Sequence, residues 1–219
     1  MIYFCADLHF GHTNICKGTT KWSDKKKCRN FNTIEEMNNA IVKSINSVVG
    51  KNDTLYHIGD WSFGGYENIW NLRKQIVCDN IIQINGNHDK FFEQDKFFPF
   101  LEKQDGIIYE ISDKTKYRSF GMLKNKSDVT VKDLFKEIHS NVLVTTINKQ
   151  QIVLSHFPFE FWLNSESGTW HLHGHLHHDI DNNKINVKNK RMDVGWNGKV
   201  YSFDEIKSIM DKKQNLERH

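Results

Sequence analysis

The stretch IIQINGNHD, residues 81–89, decides the fold because it joins an apolar segment to a compact polar turn. Residues 81–84 predict a buried strand, and Gly86 allows the backbone to fold tightly among an amide, an imidazole and a carboxylate. This composition at the end of a strand suits a site that holds a metal or a phosphate. Asparagine, glycine and aspartate are also the commonest residues of ordinary β-turns. Residues 81–89 alone do not decide between a binding site and an ordinary β-turn, so the rest of the sequence is needed.

Strand and helix patterns alternate on the N-terminal side of this turn. Residues 2–6 and 54–58 predict buried strands, and Thr33 with Glu36 predicts a capping box at the start of an amphipathic helix that ends before residue 50. Residues 67–78 predict a second helix. The order strand, helix, strand, helix, strand predicts right-handed crossovers and a largely parallel sheet, which is an α/β fold.

The C-terminal part predicts mostly short strands. Residues 142–147 and 151–155 predict a hairpin that turns at Asn148 and Lys149. Further strands are predicted at residues 170–174, 185–187, 191–194 and 200–202. Ser202 with Glu205 predicts a capping box for a last helix that extends to about residue 210.

Residues 90–141 fit this alternation poorly. Their phenylalanines are more typical of core packing than of a surface that stacks on nucleobases; these residues are Phe91, Phe92, Phe97, Phe98 and Phe100. Residues 107–111 predict a strand, and Thr130 predicts the cap of a short helix through about His139. We therefore predict a single domain over residues 1–219 with an insertion or cap around residues 90–141.

Composition excludes several classes of protein. With 38% hydrophobic and 26% charged residues, the chain is typical of a soluble globular protein, and no apolar run approaches the roughly 18 residues of a membrane span. The N-terminus carries no signal-peptide pattern, so we expect a cytoplasmic protein with no membrane partner. A net charge of +3 is too small to indicate nucleic acid as a partner. The 4 cysteines lack CxxC spacing and are expected to be free thiols.

Potential metal ligands recur at the ends of the predicted strands. They are Asp7, His9, Asp60, Asn87, His88, His156, His175 and His177. In an extended segment residues i and i+2 face the same side, so Asp7 and His9 can converge. Ligands bind at the carboxyl ends of strands in open α/β sheets, and we expect these residues to meet there. Carboxylates, imidazoles and one amide suit a pair of divalent cations with open positions for water and phosphate.

The order of these motifs resembles that of a known superfamily. D-x-H at residue 7, G-D at 59, G-N-H-D at 86, a lone histidine at 156 and G-H-x-H at 174 resemble the calcineurin-like metallophosphoesterases. Small bacterial and phage phosphoesterases with a D-L-H-F-G-H first motif look closest. The resemblance implies a four-layer α/β/β/α sandwich with mixed sheets. The segment 90–141 departs from it, because compact members carry a shorter one.

The resemblance also implies roles for the residues. One metal would bind Asp7, His9 and His177, the other Asn87, His156 and His175, and Asp60 would bridge the two ions. The expected ion is Mn²⁺, with Fe²⁺, Zn²⁺, Ni²⁺ or Co²⁺ as alternatives. His88 would act beside the leaving group as a general acid or as a transition-state hydrogen-bond donor, with Asp89 orienting it. His12 would contact phosphate or make a structural hydrogen bond. The implied reaction is in-line attack of a metal-bridging hydroxide on a phosphodiester or a phosphomonoester.

Two other functions stay open. In the first, the chain is a nuclease that acts on DNA or RNA ends and stacks a base on Trp22 or Trp61. Its basic rim would comprise residues 25–27 together with Lys114, Lys116, Arg118, Lys124 and Lys126. In the second, the chain is a non-catalytic scaffold with the same fold. Of the remaining histidines, His57 is expected in the core, and His139 and His219 at the surface. His171 and His173 are expected to be packed in the core or to lie behind the site, where they could orient a ligand imidazole. No protein partner is predicted.

Overall fold

The computed structural model describes residues 1–26, 28–94, 96–111, 126–177 and 189–217. The strand predicted at residues 185–187 lies outside this part of the chain, as does His219. Several residues of the predicted basic rim also lie outside it, namely Lys27, Lys114, Lys116, Arg118 and Lys124.

The first sheet contains the N-terminal strands. Its five strands run in the order β12-β1-β2-β3-β7. They are β1 (Ile2–Cys5), β2 (Thr54–Ile58), β3 (Asn80–Ile84), β7 (Glu137–His139) and β12 (Tyr201–Ser202). Strands β1, β2, β3 and β7 are parallel, and β12 pairs antiparallel to β1. The prediction of a largely parallel sheet is confirmed, and its strands end level with one another beside the predicted ligands.

Three α-helices occur in the described residues. They are α1 (Ile34–Asn46), α2 (Tyr66–Arg73) and α3 (Phe203–Met210). Ser202 and Glu205 form the predicted capping box of α3. At α1 the Thr33 hydroxyl accepts the Glu36 N–H as predicted, but the Glu36 carboxylate accepts the N–H of Asn32. Helix α2 ends before its predicted limit at residue 78, because Ile76 and Cys78 are buried with an exposed residue between them, as in extended chain.

The second sheet contains four strands in the order β11-β10-β9-β8. They are β8 (Val142–Ile147), β9 (Gln150–Ser155), β10 (Trp170–His173) and β11 (Arg191–Asp193). The β8–β9 hairpin is confirmed, and Asn148 and Lys149 turn it with φ of 49° and 69°. Two successive positive φ values are typical of a type I′ turn, whose twist matches that of the strands. Strands β9, β10 and β11 are parallel.

Two hydrophobic cores hold the layers together. Phe4, Ile58 and Ile84 of the first sheet share a fully buried cluster with Leu154 and Leu172 of the second. The opposite face of the first sheet packs on α1 and α2, whose buried residues include Met37, Ile41 and Leu72. Apolar burial on both faces explains the continuous apolar runs of these parallel strands. The structure confirms an α/β fold with mixed sheets.

A third sheet occupies most of the poorly predicted region. It comprises β4 (Phe97–Gln104), β5 (Ile107–Glu110) and β6 (Lys126–Thr130), with β4 antiparallel to both neighbours. Phe92 and Phe98 are buried as core residues, whereas Phe97 is 45% exposed. This sheet therefore packs through part of the phenylalanine cluster onto the core that also holds α1 and α2.

The helix predicted from Thr130 to His139 is wrong. Thr130 and Asp133 do form a capping box, but the helical turn covers only Val131–Asp133. Residues 137–139 then form β7, which pairs with β3. Hydrogen bonding to a parallel sheet outweighs the local helix preference here. The end of the predicted insertion therefore belongs to the first sheet. That residues 1–219 form a single domain stays a prediction.

The four cysteines are free thiols, as expected. Among the described residues, no helix has both the length and the apolar composition that a membrane-spanning segment requires.

Candidate metal centre

The carboxyl ends of β1, β2, β3, β9 and β10 meet at one edge of the molecule and bring the seven predicted ligands together. In the first group, His9 Nε2 lies 3.1 Å from His177 Nε2. Asp7 Oδ1 lies 3.8 Å from His9 Nε2 and 3.9 Å from His177 Nε2. These atoms surround one common point, as expected for the ligands of a single ion.

The second group surrounds the side-chain amide of Asn87. Its Oδ1 atom lies 3.1 Å from His156 Nε2 and 3.2 Å from His175 Nδ1. Asn87 follows β3, whereas the two histidines follow β9 and β10, so the second group joins both sheets.

Asp60 lies between the two groups. Its Oδ2 atom is 3.5 Å from His9 Nε2 and 3.4 Å from His156 Nε2. Among the described residues, Asp7 also approaches both groups, because its carboxylate clusters with Asp60 and His156 as well. The position of Asp60 is the one that a bridging carboxylate needs.

The donor set fits two divalent cations. Bonds of about 2.0–2.2 Å at tetrahedral or octahedral angles place neighbouring ligand atoms about 2.8–3.6 Å apart. The nitrogen–nitrogen separation of 3.1 Å and both Asp60 separations fall in this range, and the Asp7 pairs are slightly longer. Burial lowers the pKa of His9, and burial with the nearby Arg29 lowers the pKa of His177 to about 4. Both imidazoles are therefore neutral near pH 7, the form that binds a cation.

Asp60 and His156 form an ion pair that favours both charged forms. Burial by itself would lower the pKa of His156, but the hydrogen bond and charge of Asp60 raise it to about 9. Burial likewise opposes the Asp60 charge, yet contacts with His156 and His9 hold its pKa below the usual range. Asp7 is fully buried, and this burial raises its pKa well above the ordinary value. The site thus concentrates buried acidic groups that a cation would stabilise.

The backbone is strained at five of the seven ligands. Asp7, His9, Asp60, His175 and His177 have φ between 50° and 70°, a region that residues other than glycine enter at a cost of about 1–3 kcal/mol each. Backbone hydrogen bonds from Asp7 to Gly59 and from His9 to Asp60, both 2.9 Å, hold two of these loops together. Asp7 and His9 therefore converge as predicted, but the predicted reason, an extended segment, is wrong.

Gly86 and Gly174 make room for the ligands. A Cβ atom on Gly86 would lie 2.3 Å from Asp60 Oδ1 and 2.9 Å from the His156 ring. A Cβ atom on Gly174 would lie 2.5 Å from Asp7 Oδ2. All three distances are far below van der Waals contact. The glycines of the G-N-H-D and G-H-x-H motifs thus allow side chains from neighbouring strands to approach.

Asp89 supports Asp60 and not, as predicted, the His88 ring. Its carboxylate accepts the N–H groups of Asp60 (2.6 Å), Trp61 (3.0 Å) and Gly86 (2.8 Å). It also accepts the Gln83 side-chain amide at 3.1 Å. Both carboxylate oxygens are thereby engaged with the loops that carry Asp60 and Gly86. Asp89 therefore fixes the backbone of Asp60, the predicted bridging residue.

Gln83 extends this network into the core. Its Oε1 atom lies 2.7 Å from His57 Nδ1, and Gln83 and His57 are both fully buried. His57 is therefore a core residue, as predicted. Gln83 was predicted only as one position of an apolar strand. A single amide between isoleucines was the available indication of a buried polar contact.

His88 and His12 lie at the mouth of the site. The His88 backbone N–H donates to Asp60 Oδ1 at 3.0 Å, and its exposed ring is 5.6 Å from the His9 ring. His12 Nδ1 accepts the Asn14 N–H at 3.2 Å, so the neutral ring carries its proton on Nε2. Burial, followed by the neighbouring His88, lowers the pKa of His12. His12 thus makes a structural hydrogen bond and still has one N–H donor beside His88.

Arg29 was not predicted to support the site. Its guanidinium donates to the carbonyl groups of Leu8 (2.7 Å) and Asp7, and lies 4.7 Å from the Trp196 ring centre. These hydrogen bonds therefore hold the backbone of the strained D-x-H loop in place. This role was not predictable, because Arg29 lies in a polar loop distant from every motif.

The remaining histidine predictions differ in outcome. His171 and His173 are fully buried behind the site, where His171 stacks on Phe159 at 5.0 Å and His173 contacts the Gly174 carbonyl at 2.9 Å. His139 is partly exposed. Trp61 is fully buried and cannot stack on a base, whereas Trp22 is 45% exposed.

Comparison with known proteins gives three matches. A family model described as calcineurin-like phosphoesterase matches residues 1–203. Over 95 residues the chain is 35% identical to the uncharacterized protein MJ1445 of Methanocaldococcus jannaschii, and the match covers 42% of this chain and 49% of that protein. The chain thus spans about half the length of this curated relative. The crystal structure of AQ665, a protein of unknown function from Aquifex aeolicus, matches with a TM-score of 0.59 at 21% identity, covering 95% of this chain and 98% of that chain. At this identity the structural match supports the fold alone.

Proposed function

The chain belongs to the calcineurin-like phosphoesterase family, and from this premise we propose that it is a dinuclear metal-dependent phosphoesterase that hydrolyses a phosphodiester. The position of Asp60 carries this proposal. One carboxylate oxygen lies within 3.5 Å of a ligand nitrogen from each group of the metal centre. Two divalent cations held there, Mn²⁺ in the first instance, would supply Lewis-acid activation of water and neutralise charge on the phosphoryl oxygens.

The protein residues would divide the work as follows. Asp7, His9 and His177 would hold one ion, Asn87, His156 and His175 the other, and Asp60 both. The Asp89 carboxylate keeps the Asp60 backbone in place through the 2.6 Å hydrogen bond to its N–H. A preorganised site of this kind stabilises charge in the transition state without reorganisation.

His88 would protonate the leaving group. The oxygen of water forms a bond to phosphorus while the bond from phosphorus to the leaving oxygen breaks. A ring N–H of His88 gives its proton to that oxygen, and the proton lost by water restores His88 through solvent. The anchored backbone of His88, with its N–H on Asp60 Oδ1 at 3.0 Å, keeps the exposed ring beside the metal ligands.

A diester is favoured over a monoester because apolar rings flank the centre on two sides. Phe63 lies 5.4 Å from the His88 ring, and Phe157 lies 4.8 Å from the His175 ring. Both phenylalanines are more than 40% exposed. A diester has two organic substituents for these surfaces, whereas a monoester has one.

The test is hydrolysis of bis(p-nitrophenyl) phosphate by protein stripped with a chelator and then reconstituted with Mn²⁺. We expect activity only after reconstitution. With thymidylyl-thymidine, whose alcohol leaving group requires a proton, His88→Asn should lose about 10²–10⁴-fold in kcat. His139→Asn is the matched control, because His139 is a partly exposed histidine on β7 that contacts Glu137. Equal activity in stripped and reconstituted protein would contradict the proposal.

Two alternatives have different support. A nuclease is favoured by the exposed Trp22 beside His12, and salt-dependent binding of oligonucleotides would identify it. A non-catalytic scaffold is disfavoured because all seven ligand side chains and His88 are present at the site. The cytoplasmic location stays a prediction from the sequence.

A further inference from the structure

Two exposed aromatic side chains stand beside His12 at the mouth of the metal centre. Phe63 is 41% exposed and Trp22 is 45% exposed. The other tryptophans of the chain are buried or half-buried. Apolar rings grouped at the edge of a polar site are a common feature of ligand-binding surfaces.

The Phe63 and Trp22 rings adjoin the side of the metal centre where His88 lies. The His12 ring lies 4.2 Å from Phe63 and 6.2 Å from Trp22, so both rings neighbour it. Phe63 also approaches His88 at 5.4 Å, and His12 approaches the metal ligand His9 at 5.5 Å. A group that leaves from phosphorus past His88 therefore meets this surface first.

Local hydrogen bonds hold the backbone of the surface in place. The Phe63 N–H donates to the Phe10 carbonyl at 2.8 Å, and the Phe63 carbonyl accepts the Asn68 amide. The Trp22 N–H donates to the Thr20 hydroxyl at 3.1 Å, within a loop closed by the Asn14 side chain. Rings on a fixed backbone lose little freedom when a ligand binds.

We propose that Phe63 and Trp22, the two exposed rings beside His12, bind the planar ring of the leaving group. The preferred substrate is then a phosphodiester whose leaving alcohol carries a nucleobase or another aromatic ring. This inference rests on the proposed function, because His88 marks the leaving side only if the site hydrolyses phosphate esters. Stacking suits this role since every planar ring offers a π-face to an aromatic side chain.

The experiment compares three diesters on the Mn²⁺-loaded protein: thymidylyl-thymidine, its analogue without bases, and bis(p-nitrophenyl) phosphate. Phe63→Ala and Trp22→Ala should each lower kcat/KM for thymidylyl-thymidine about fivefold to 100-fold, mainly through KM. The analogue without bases should change less than about twofold, because it has no ring to lose. Phe97→Ala, which removes an equally exposed phenylalanine from β4, should leave all three unchanged.

The same variants separate nucleobases from other rings. A loss confined to thymidylyl-thymidine assigns the surface to nucleobases, and a loss for bis(p-nitrophenyl) phosphate as well assigns it to planar rings in general. Equal losses with and without bases would overturn the inference while the proposed function stands.

A binding measurement covers the case in which none of the diesters is hydrolysed, which would count against the proposed function. Thymidine 5′-monophosphate and inorganic phosphate are titrated calorimetrically into the Mn²⁺-loaded wild type and Trp22→Ala. The inference is supported if the wild type binds the nucleotide more tightly than phosphate and Trp22→Ala does not. Equal binding of the two ligands overturns it.

Discussion

The floor and the rim of the metal centre are built differently. The floor consists of Asp7, His9, Asp60 and His156, which are at most 2% exposed and lie where the two sheets meet. The rim consists of Asn87, His88, His175 and His177, which are exposed. Hydrogen bonds from core residues hold the floor, whereas the rim faces solvent. From this difference we expect the floor to contribute most to the retention of metal and the rim to contribute most to the contact with substrate.

The largest effect is expected where the floor serves both groups of ligands. Asp60→Asn keeps the shape but removes the charge that lies within 3.5 Å of both His9 and His156. We expect kcat to fall by more than about 10³-fold, with loss of bound metal. His175→Asn on the rim removes one proposed ligand of one ion only, so it should cost less. Steady-state kinetics and metal analysis of both variants measure the difference, and equal losses would break the distinction between floor and rim.

Gly86→Ala tests whether the floor depends on close approach. A Cβ atom 2.3 Å from Asp60 Oδ1 must displace the bridging carboxylate. A displacement of about 1 Å can cost on the order of 10²-fold in rate. Gly50→Ala is the control, because its Cβ would meet only the Asp53 side chain, at 3.3 Å or more. Wild-type kcat in a folded Gly86→Ala protein would show that the floor tolerates displacement.

Gln83→Leu tests the support beneath the floor. The change leaves His57 and Asp89 each without one buried partner, which costs about 1–3 kcal/mol of unfolding free energy. Activity should fall about tenfold, because the residues that orient ligands tune affinity and rate. Urea unfolding and kinetics are the measurements, with the exposed Gln75→Leu as control. A stability loss without any change in metal affinity or rate would limit Gln83 to a structural role.

The smallest effect is expected at the outer edge of the rim. His12→Ala removes one N–H donor near the substrate, and we expect KM to rise about two- to tenfold with kcat nearly unchanged. The measurement is the initial rate against bis(p-nitrophenyl) phosphate concentration. An unchanged KM with lower thermal stability would assign His12 to its Asn14 hydrogen bond alone.

The sequence predicted which residues form the floor and the rim, but it did not predict their backbone conformation. Ligand-type residues after apolar strands were sufficient to predict that these side chains lie close together, because parallel strands end at one edge of a sheet. Their backbone conformation was not predictable. Asp7, His9 and Asp60 adopt positive φ, which local preferences oppose and only surrounding hydrogen bonds maintain.

Contacts between distant segments explain the other differences. The helix predicted up to His139 gives way to β7 because the edge of β3 offers parallel pairing. Asp89 was expected to orient the adjacent His88, yet it contacts Asp60 and Trp61, almost 30 residues earlier in the chain. Arg29 supports the D-x-H loop from a segment without any motif. None of these contacts follows from the period of apolar residues.

The number of Mn²⁺ ions bound per chain tests the central claim most directly. Equilibrium dialysis of chelator-stripped wild-type protein against increasing Mn²⁺ gives this number at saturation. Because Asp60 lies between two groups of three ligands, we predict two ions per chain. Saturation at one ion, or no binding, would contradict a dinuclear centre.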